Sequence, residues 1–160
     1  MAIQIGDKLP DATFMTPTPD GPQPASTSDV FGGKTVALFA VPGAFTPTCS
    51  AKHLPSFRDA AGQLQSKGVD SIACVSVNDV FVMGEWGNSA DSEGKIQMLA
   101  DGNGAFTKAL GLELDASGFG MGTRSQRYAM LVVDGVVKQL NVEEGGAFEV
   151  SSAEYMLGQL

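Results

Sequence analysis

This sequence predicts an α/β fold with a mixed central sheet covered by helices on both faces. Three observations carry that expectation. Buried-strand runs at 36–41 and 69–77 alternate with stretches whose apolar residues recur every three to four positions. The last third changes character, to two apolar runs joined by Asp134-Gly135, the strongest short-range hairpin signal. The chain has 160 residues, 43% hydrophobic and 18% charged, which fits a single domain over 1–160 able to bury its own core.

The N-terminal stretch MAIQIGDKLPDATF has no basic segment followed by an apolar one, so no secretory signal is read there and the reducing cytoplasm is the expected setting. A short strand precedes TPTPDGPQPAS (16–26), whose four prolines and one glycine read as a rigid surface loop. Residues 35–41 form a strand that Pro42-Gly43 ends. From Pro47, the spacing of Ala51, Leu54, Phe57, Ala61 and Leu64 marks an amphipathic helix, closed by Gly68. Pro55 lacks a backbone donor inside that helix and predicts a bend near 51–55. A second buried strand covers 69–77. Asp79 then caps a short helix with Val82, Met83 and Trp86 on one face, weakened by Gly84 and Gly87. A third strand at 95–99 leads through Asp101-Gly102-Asn103-Gly104 to a helix ending at Gly111. A strand over 124–133 opens the hairpin, and residues 151–158 form a last helix capped by Ser151 or Ser152.

Charge and cysteine usage exclude several functions. The net charge of −8 is scattered, and ten Lys plus Arg form no stripe, so nucleic acid and anionic membrane are disfavoured partners. The six apolar residues at 36–41 fall far short of the ~20 that span a bilayer. Two cysteines, Cys49 and Cys74, and one histidine make neither a CxxC pair nor a four-ligand zinc site, so no metal is expected. The glycines of SGFGMGTR do not make GxGxxG, because Thr123 takes the third position, and no phosphate cradle is expected.

The chemistry gathers at PGAFTPTCS (42–50). Proline is favoured at a first helical position, which makes Pro47 that position, Thr46 the N-cap and Cys49 the third residue of the first turn. The sulfur then sits over unpaired amides at the positive end of the helix dipole. Cysteines so placed can fall from a pKa of about 8.5 to about 3.5–7.5, which makes an activated nucleophile of a sulfur that reaches solvent. The alternative is a small, inert residue in an ordinary first turn. His53, four residues on, is read as a polar core histidine near the site, because a pair on one helix is poor geometry for a Cys-His nucleophile and its orienting group. Arg127 shares a strand face with Ala129, Leu131 and Val133, where a guanidinium needs an anionic partner that a thiolate would supply; the alternative is a surface arginine at a strand edge. Arg124, on the other face, is read as structural.

The pattern P-x-x-x-T-x-x-C, here Pro42, Thr46 and Cys49 within VPGAFTPTCSAKHLPSF, resembles the peroxiredoxins and their type II subfamily. Residues 68–87, 98–106 and 127–143 continue the resemblance in order and spacing over nearly the whole chain. It implies a thioredoxin fold with a late β-hairpin, no cofactor, and thiol-dependent reduction of hydrogen peroxide and organic hydroperoxides. It further implies that the Cys49 thiolate attacks the distal peroxide oxygen, giving a sulfenic acid and water or an alcohol. Thr46 is then a hydrogen-bond partner of sulfur and peroxide, Pro42 a shield, the Gly43 region a backbone contact to peroxide, and Arg127 the matching arginine. Some members carry a resolving cysteine after the hairpin, but GGAFEVSSAEY has none. That departure favours an external thiol, either glutathione with or without glutaredoxin, or thioredoxin. Cys74, flanked by Ile72, Ala73 and Val75, reads either as a buried, inert thiol or as a resolving cysteine. A homodimer through loops near the active site is also implied. The alternative function is a peroxide sensor or holdase-like interaction protein on the same fold, and the missing CxxC disfavours a disulfide oxidoreductase.

Overall fold

The apolar runs become the inner strands of one seven-stranded sheet. The computed structural model describes residues 2–90, 92 and 94–160. In chain order the elements are β1 (Thr13–Thr18), β2 (Gly21–Ser26), α1 (Thr27–Phe31), β3 (Thr35–Ala40), a π-turn (Cys49–His53), α2 (Leu54–Asp59) and α3 (Ala61–Ser66). Then come β4 (Ser71–Ser76), α4 (Val80–Ser89), β5 (Gln97–Ala100), α5 (Ala105–Leu110), β6 (Glu113–Asp115), β7 (Thr123–Ser125), β8 (Tyr128–Val133), β9 (Val136–Val142) and α6 (Ala153–Gln159). The large sheet runs β2-β1-β5-β4-β3-β8-β9, and β6 pairs with β7 apart from it. Strands β3, β4 and β5 are parallel and the rest antiparallel, so the sheet is mixed.

Strands β3 and β4 are buried along almost their whole length because helices cover both sheet faces. Alternation divides their side chains. Phe39, Cys74 and Leu131 point to the face covered by Leu54 and Phe57 of α2, Leu64 of α3, Trp86 of α4 and Met156 of α6. Leu38, Val75 and Met130 point to the other, under Phe31 of α1 and Phe106 of α5.

Several expectations hold. Asp79 Oδ1 accepts from the Val82 N–H at 2.8 Å to cap α4. Ser152 caps α6, its Oγ accepting from Tyr155 N–H at 3.1 Å. Asp134 (φ 47°) and Gly135 (φ 78°) make the left-handed pair that a type I′ turn requires. Other expectations need correction. Residues 16–26 are no loop: β1 and β2 pair through this segment, with Pro17 opposite Pro22 and Pro24 opposite Met15. Because β2 is the sheet edge, its two prolines interrupt no ladder on their outer side. Gly84 and Gly87 do more than weaken α4, since a Cβ there would lie 3.2 Å from Pro17 Cβ and 3.0 Å from Met98 Cγ; the glycines let the helix approach β1 and β5. The strand expected over 124–133 is broken between β7 and β8, and Arg127 lies in the gap.

Candidate active site

Cys49 sits where β3 hands over to the helical segment. The helix begins at Pro47, and its first bond runs from Ser50 N–H to the Thr46 carbonyl at 2.9 Å. Pro55 then reshapes the turn around it. An α-helical Pro55 would press its ring on the carbonyl four residues back, and the backbone instead widens to a π-turn over Cys49–His53, with Leu54 N–H donating to the Cys49 carbonyl. The predicted bend takes this form, and a second break comes at Ala60, between α2 and α3.

The π-turn aims Cys49 and His53 at the sheet face where Arg127 arrives from the start of β8. Arg127 Nη2 donates to Cys49 Sγ at 3.2 Å, and Nη1 lies 3.0 Å from His53 Nδ1. A guanidinium can only donate, so Nδ1 must accept. The His53 proton is therefore on Nε2, 2.8 Å from the Ser151 carbonyl, to which it donates. His53 is packed among the rings of Phe39, Phe57 and Phe148, with centroids 4.8, 5.8 and 5.1 Å away. Burial first, and the Arg127 charge second, hold its pKa down at about 3 against the Ser151 carbonyl, so the imidazole is neutral. The histidine placed near the site by sequence thus becomes the acceptor that orients Arg127.

Thr46 stands on the other side of the turn. Its hydroxyl donates to the Gly43 carbonyl at 2.7 Å rather than to the sulfur, which leaves the hydroxyl oxygen free to accept only. Gly43 is a close-approach position, where a Cβ would lie 3.1 Å from Met121 Cε and 3.2 Å from Thr46 Cγ2. The Ala44 N–H donates to Asn78 Oδ1 at 3.0 Å, tying this turn to the end of β4. Arg124 donates to the carbonyls of Met121 and Val77 at 2.9 and 3.0 Å, tying those two segments together. Trp86 Nε1–H donates to Ser50 Oγ at 3.0 Å, bracing the residue after the cysteine.

One expectation fails here. Cys49 does not reach solvent; it is 0% exposed, packed in the same apolar cluster as Phe39, Leu54 and Cys74. Just before the first turn, the main chain at Phe45 takes φ 65°, a conformation costly for a bulky residue. Cys74, on the neighbouring strand and equally buried, has its thiol pushed well up by burial and then by the Cys49 charge, with Arg127 opposing. Neither cysteine is in a disulfide.

Sequence reasoning missed Glu143, Ser151, Trp86 and Asn78 as parts of the site. Their contacts join segments far apart in the chain, and only the adjacent acids Glu143-Glu144 offered a local signal.

The Redoxin family model matches residues 4–157. The chain is 53% identical to Peroxiredoxin-2E, chloroplastic, of Arabidopsis thaliana, over 99% of this chain and 70% of that protein. It is 50% identical to Peroxiredoxin-2B of the same organism, over 99% and 98% of the two chains. Among solved structures, reduced Prx3 from Vibrio vulnificus in complex with hydrogen peroxide superposes with a TM-score of 0.94 at 55% identity, covering 98% of each chain. A cysteine at a helix start, an arginine on its sulfur and a match over essentially the full chain all agree: this protein belongs to the Redoxin family, as a thioredoxin-fold thiol peroxidase of the type II peroxiredoxins.

Proposed function

We propose that Cys49 is the peroxidatic cysteine and that Arg127, held by His53, makes its sulfur reactive toward hydrogen peroxide and organic hydroperoxides. The 3.2 Å hydrogen bond from Arg127 Nη2 to the fully buried Cys49 Sγ carries this reading. A fixed positive charge acts far more strongly on developing negative charge where water is excluded. The thiolate attacks the distal peroxide oxygen. The S–O bond forms as the O–O bond breaks, and the leaving hydroxide or alkoxide takes a proton from solvent, leaving Cys49 as sulfenic acid. Thr46 Oγ1 accepts a hydrogen bond from the peroxide O–H, while Pro42 and Gly43 form the wall around it. Peroxide enters when the 42–46 turn opens, which the strained backbone at Phe45 makes less costly.

An external thiol completes the cycle. Attack requires a thiolate, and burial keeps the Cys74 thiol protonated, which supports leaving Cys74 outside the chemistry. Glutathione, with or without glutaredoxin, or thioredoxin attacks the sulfenic sulfur and water leaves. A second thiol then displaces Cys49 as thiolate and departs in a disulfide. A reducing compartment, the cytoplasm, suits this chemistry.

The protein works as a homodimer. Phe45, Phe81 and Phe119 are 51%, 73% and 87% exposed, and the Ala44–Asn78 bond and the closeness of Met121 to Gly43 link the segments that carry them to the turn before Cys49. Apolar rings grouped in this way suit a self-complementary contact. Light scattering is expected to give a dimer that Phe81→Arg converts to monomer.

Stopped-flow peroxide consumption, followed by mass spectrometry after one equivalent of peroxide, tests the chemistry. The expected result is fast consumption, with the added oxygen or a glutathione adduct on Cys49 in both wild type and Cys74→Ala. A Cys49–Cys74 disulfide in the wild type would refute the external-thiol route, and a rate no faster than free thiol would leave Cys49 a sensor.

A further inference from the structure

Four hydrogen bonds converge on one oxygen outside the groups that touch the sulfur. Oε2 of Glu143 accepts the N–H groups of Glu149, Val150 and Ser151, each at 2.8 Å, and the Ser151 hydroxyl at 2.7 Å. Glu143 is buried just past the end of β9, and its own N–H donates to the Arg127 carbonyl at 2.9 Å. The residue thereby grips the backbone of Arg127 and the segment 149–151 at once. From that segment the path continues through the Ser151 carbonyl to His53 Nε2, from His53 Nδ1 to Arg127 Nη1, and from Nη2 to the sulfur.

We propose that Glu143 is a positioning residue for Arg127, acting through the Ser151 carbonyl and the His53 imidazole. An ionised carboxylate suits the task, because four donors converging on one oxygen stabilise negative charge there. Bonds to a charged acceptor are also about twice as strong as neutral ones, which pins the Ser151 main chain. The guanidinium and the pinned carbonyl together hold the imidazole in one tautomer, and the carbonyl supplies the Nε2 half of that selection. Without it, the form with its proton on Nδ1 becomes competitive and turns an N–H toward the guanidinium N–H. Two donors then face each other, and Nη2 is displaced from Cys49. Burial pushes the Glu143 carboxyl up, but the Ser151 hydroxyl and the three backbone amides outweigh it and bring it below the usual range, as a permanently charged anchor requires.

The inference rests on Cys49 and Arg127 acting as proposed above, and the test separates the two. Because the chain has a single histidine, nitrogen NMR of the imidazole reads its tautomer without overlap. Wild type should show one neutral form, protonated on Nε2. Glu143→Gln keeps the shape and loses the charge; it should give a tautomer mixture and a second-order rate with hydrogen peroxide lower by roughly three- to thirtyfold, with circular dichroism unchanged. Glu143→Ala should do more. A wild-type imidazole protonated on Nδ1 overturns the proposal, as does a Glu143→Gln protein with wild-type tautomer, whether or not its rate falls. If Glu143→Ala does not fold, Glu143→Gln and the wild type carry the test. A wild type that consumes no peroxide speaks against the Cys49 reading alone, since the tautomer is read without turnover.

Discussion

Cys49 and Cys74 occupy one apolar cluster, are equally shut off from solvent and differ in almost everything else. Cys74 lies in the middle of β4, its backbone bonded into the sheet between β3 and β5 and its register partner Phe39 beside it. There burial outweighs the opposing Arg127 charge and the thiol stays neutral. Cys49 lies in a π-turn at the start of a helical segment, with a guanidinium on its sulfur that is itself fixed by a neutral histidine. Burial alone therefore does not decide whether a thiol is inert. What separates the two sulfurs is that a donor and a positive charge are buried in contact with Cys49 and, among the described residues, none donates to Cys74, and a low dielectric strengthens such a contact.

That contrast can be broken most directly at the sulfurs. Cys49→Ser is expected to abolish peroxide consumption and Cys74→Ala to leave it close to wild type, as read by stopped-flow; loss of turnover in Cys74→Ala would erase the distinction. Next in size is Arg127→Met, which removes the donor at Sγ and should lower the peroxide rate by roughly 10²–10³. Arg127→Lys should recover only part of this, because a single ammonium cannot bridge His53 Nδ1 and Cys49 Sγ as a planar fork does.

The third prediction concerns pH. His53 titrates near 6.5 when unfolded and at about 3 when folded, so between these values the unfolded chain binds the proton first. Stability is then expected to be full above about pH 6.5 and to fall as pH drops toward 3, by on the order of 5 kcal/mol from this group. Urea midpoints at pH 7 and pH 4 check it. His53→Gln, which can donate to Ser151 and accept from Arg127 without titrating, should flatten the dependence. The smallest effect is expected at Trp86→Phe, which removes the bond to Ser50 and costs about 1 kcal/mol, or roughly 2–4 °C in Tm. A larger drop in peroxide rate than in Tm would place Trp86 closer to the chemistry than a brace.

Much of the fold was legible because its signals are local. Pro47, Pro55 and Gly68 bounded and bent the first long helical stretch, Asp79 capped α4, and Asp134-Gly135 turned the last hairpin, each within a few residues of its effect. The edge hairpin β1–β2 escaped, because four prolines argue against a strand unless one knows that it lies at the rim of the sheet. Edge or centre is a property of the assembled sheet, not of the segment.

The site divides along the same line. Sequence by itself determined the place of Cys49 in a first helical turn and the side from which Arg127 approaches it, because proline position and two-residue alternation are short-range geometry, although the strand expected to carry Arg127 breaks just before β8. Only the tertiary structure decided that Thr46 turns its proton to Gly43, that His53 is a neutral acceptor, that Cys49 is covered, and that Glu143 gathers residues 149–151. Those facts depend on which buried polar groups meet across the core. Each must find a partner once water is gone, and the folded chain, rather than any stretch of it, settles which partner is in reach.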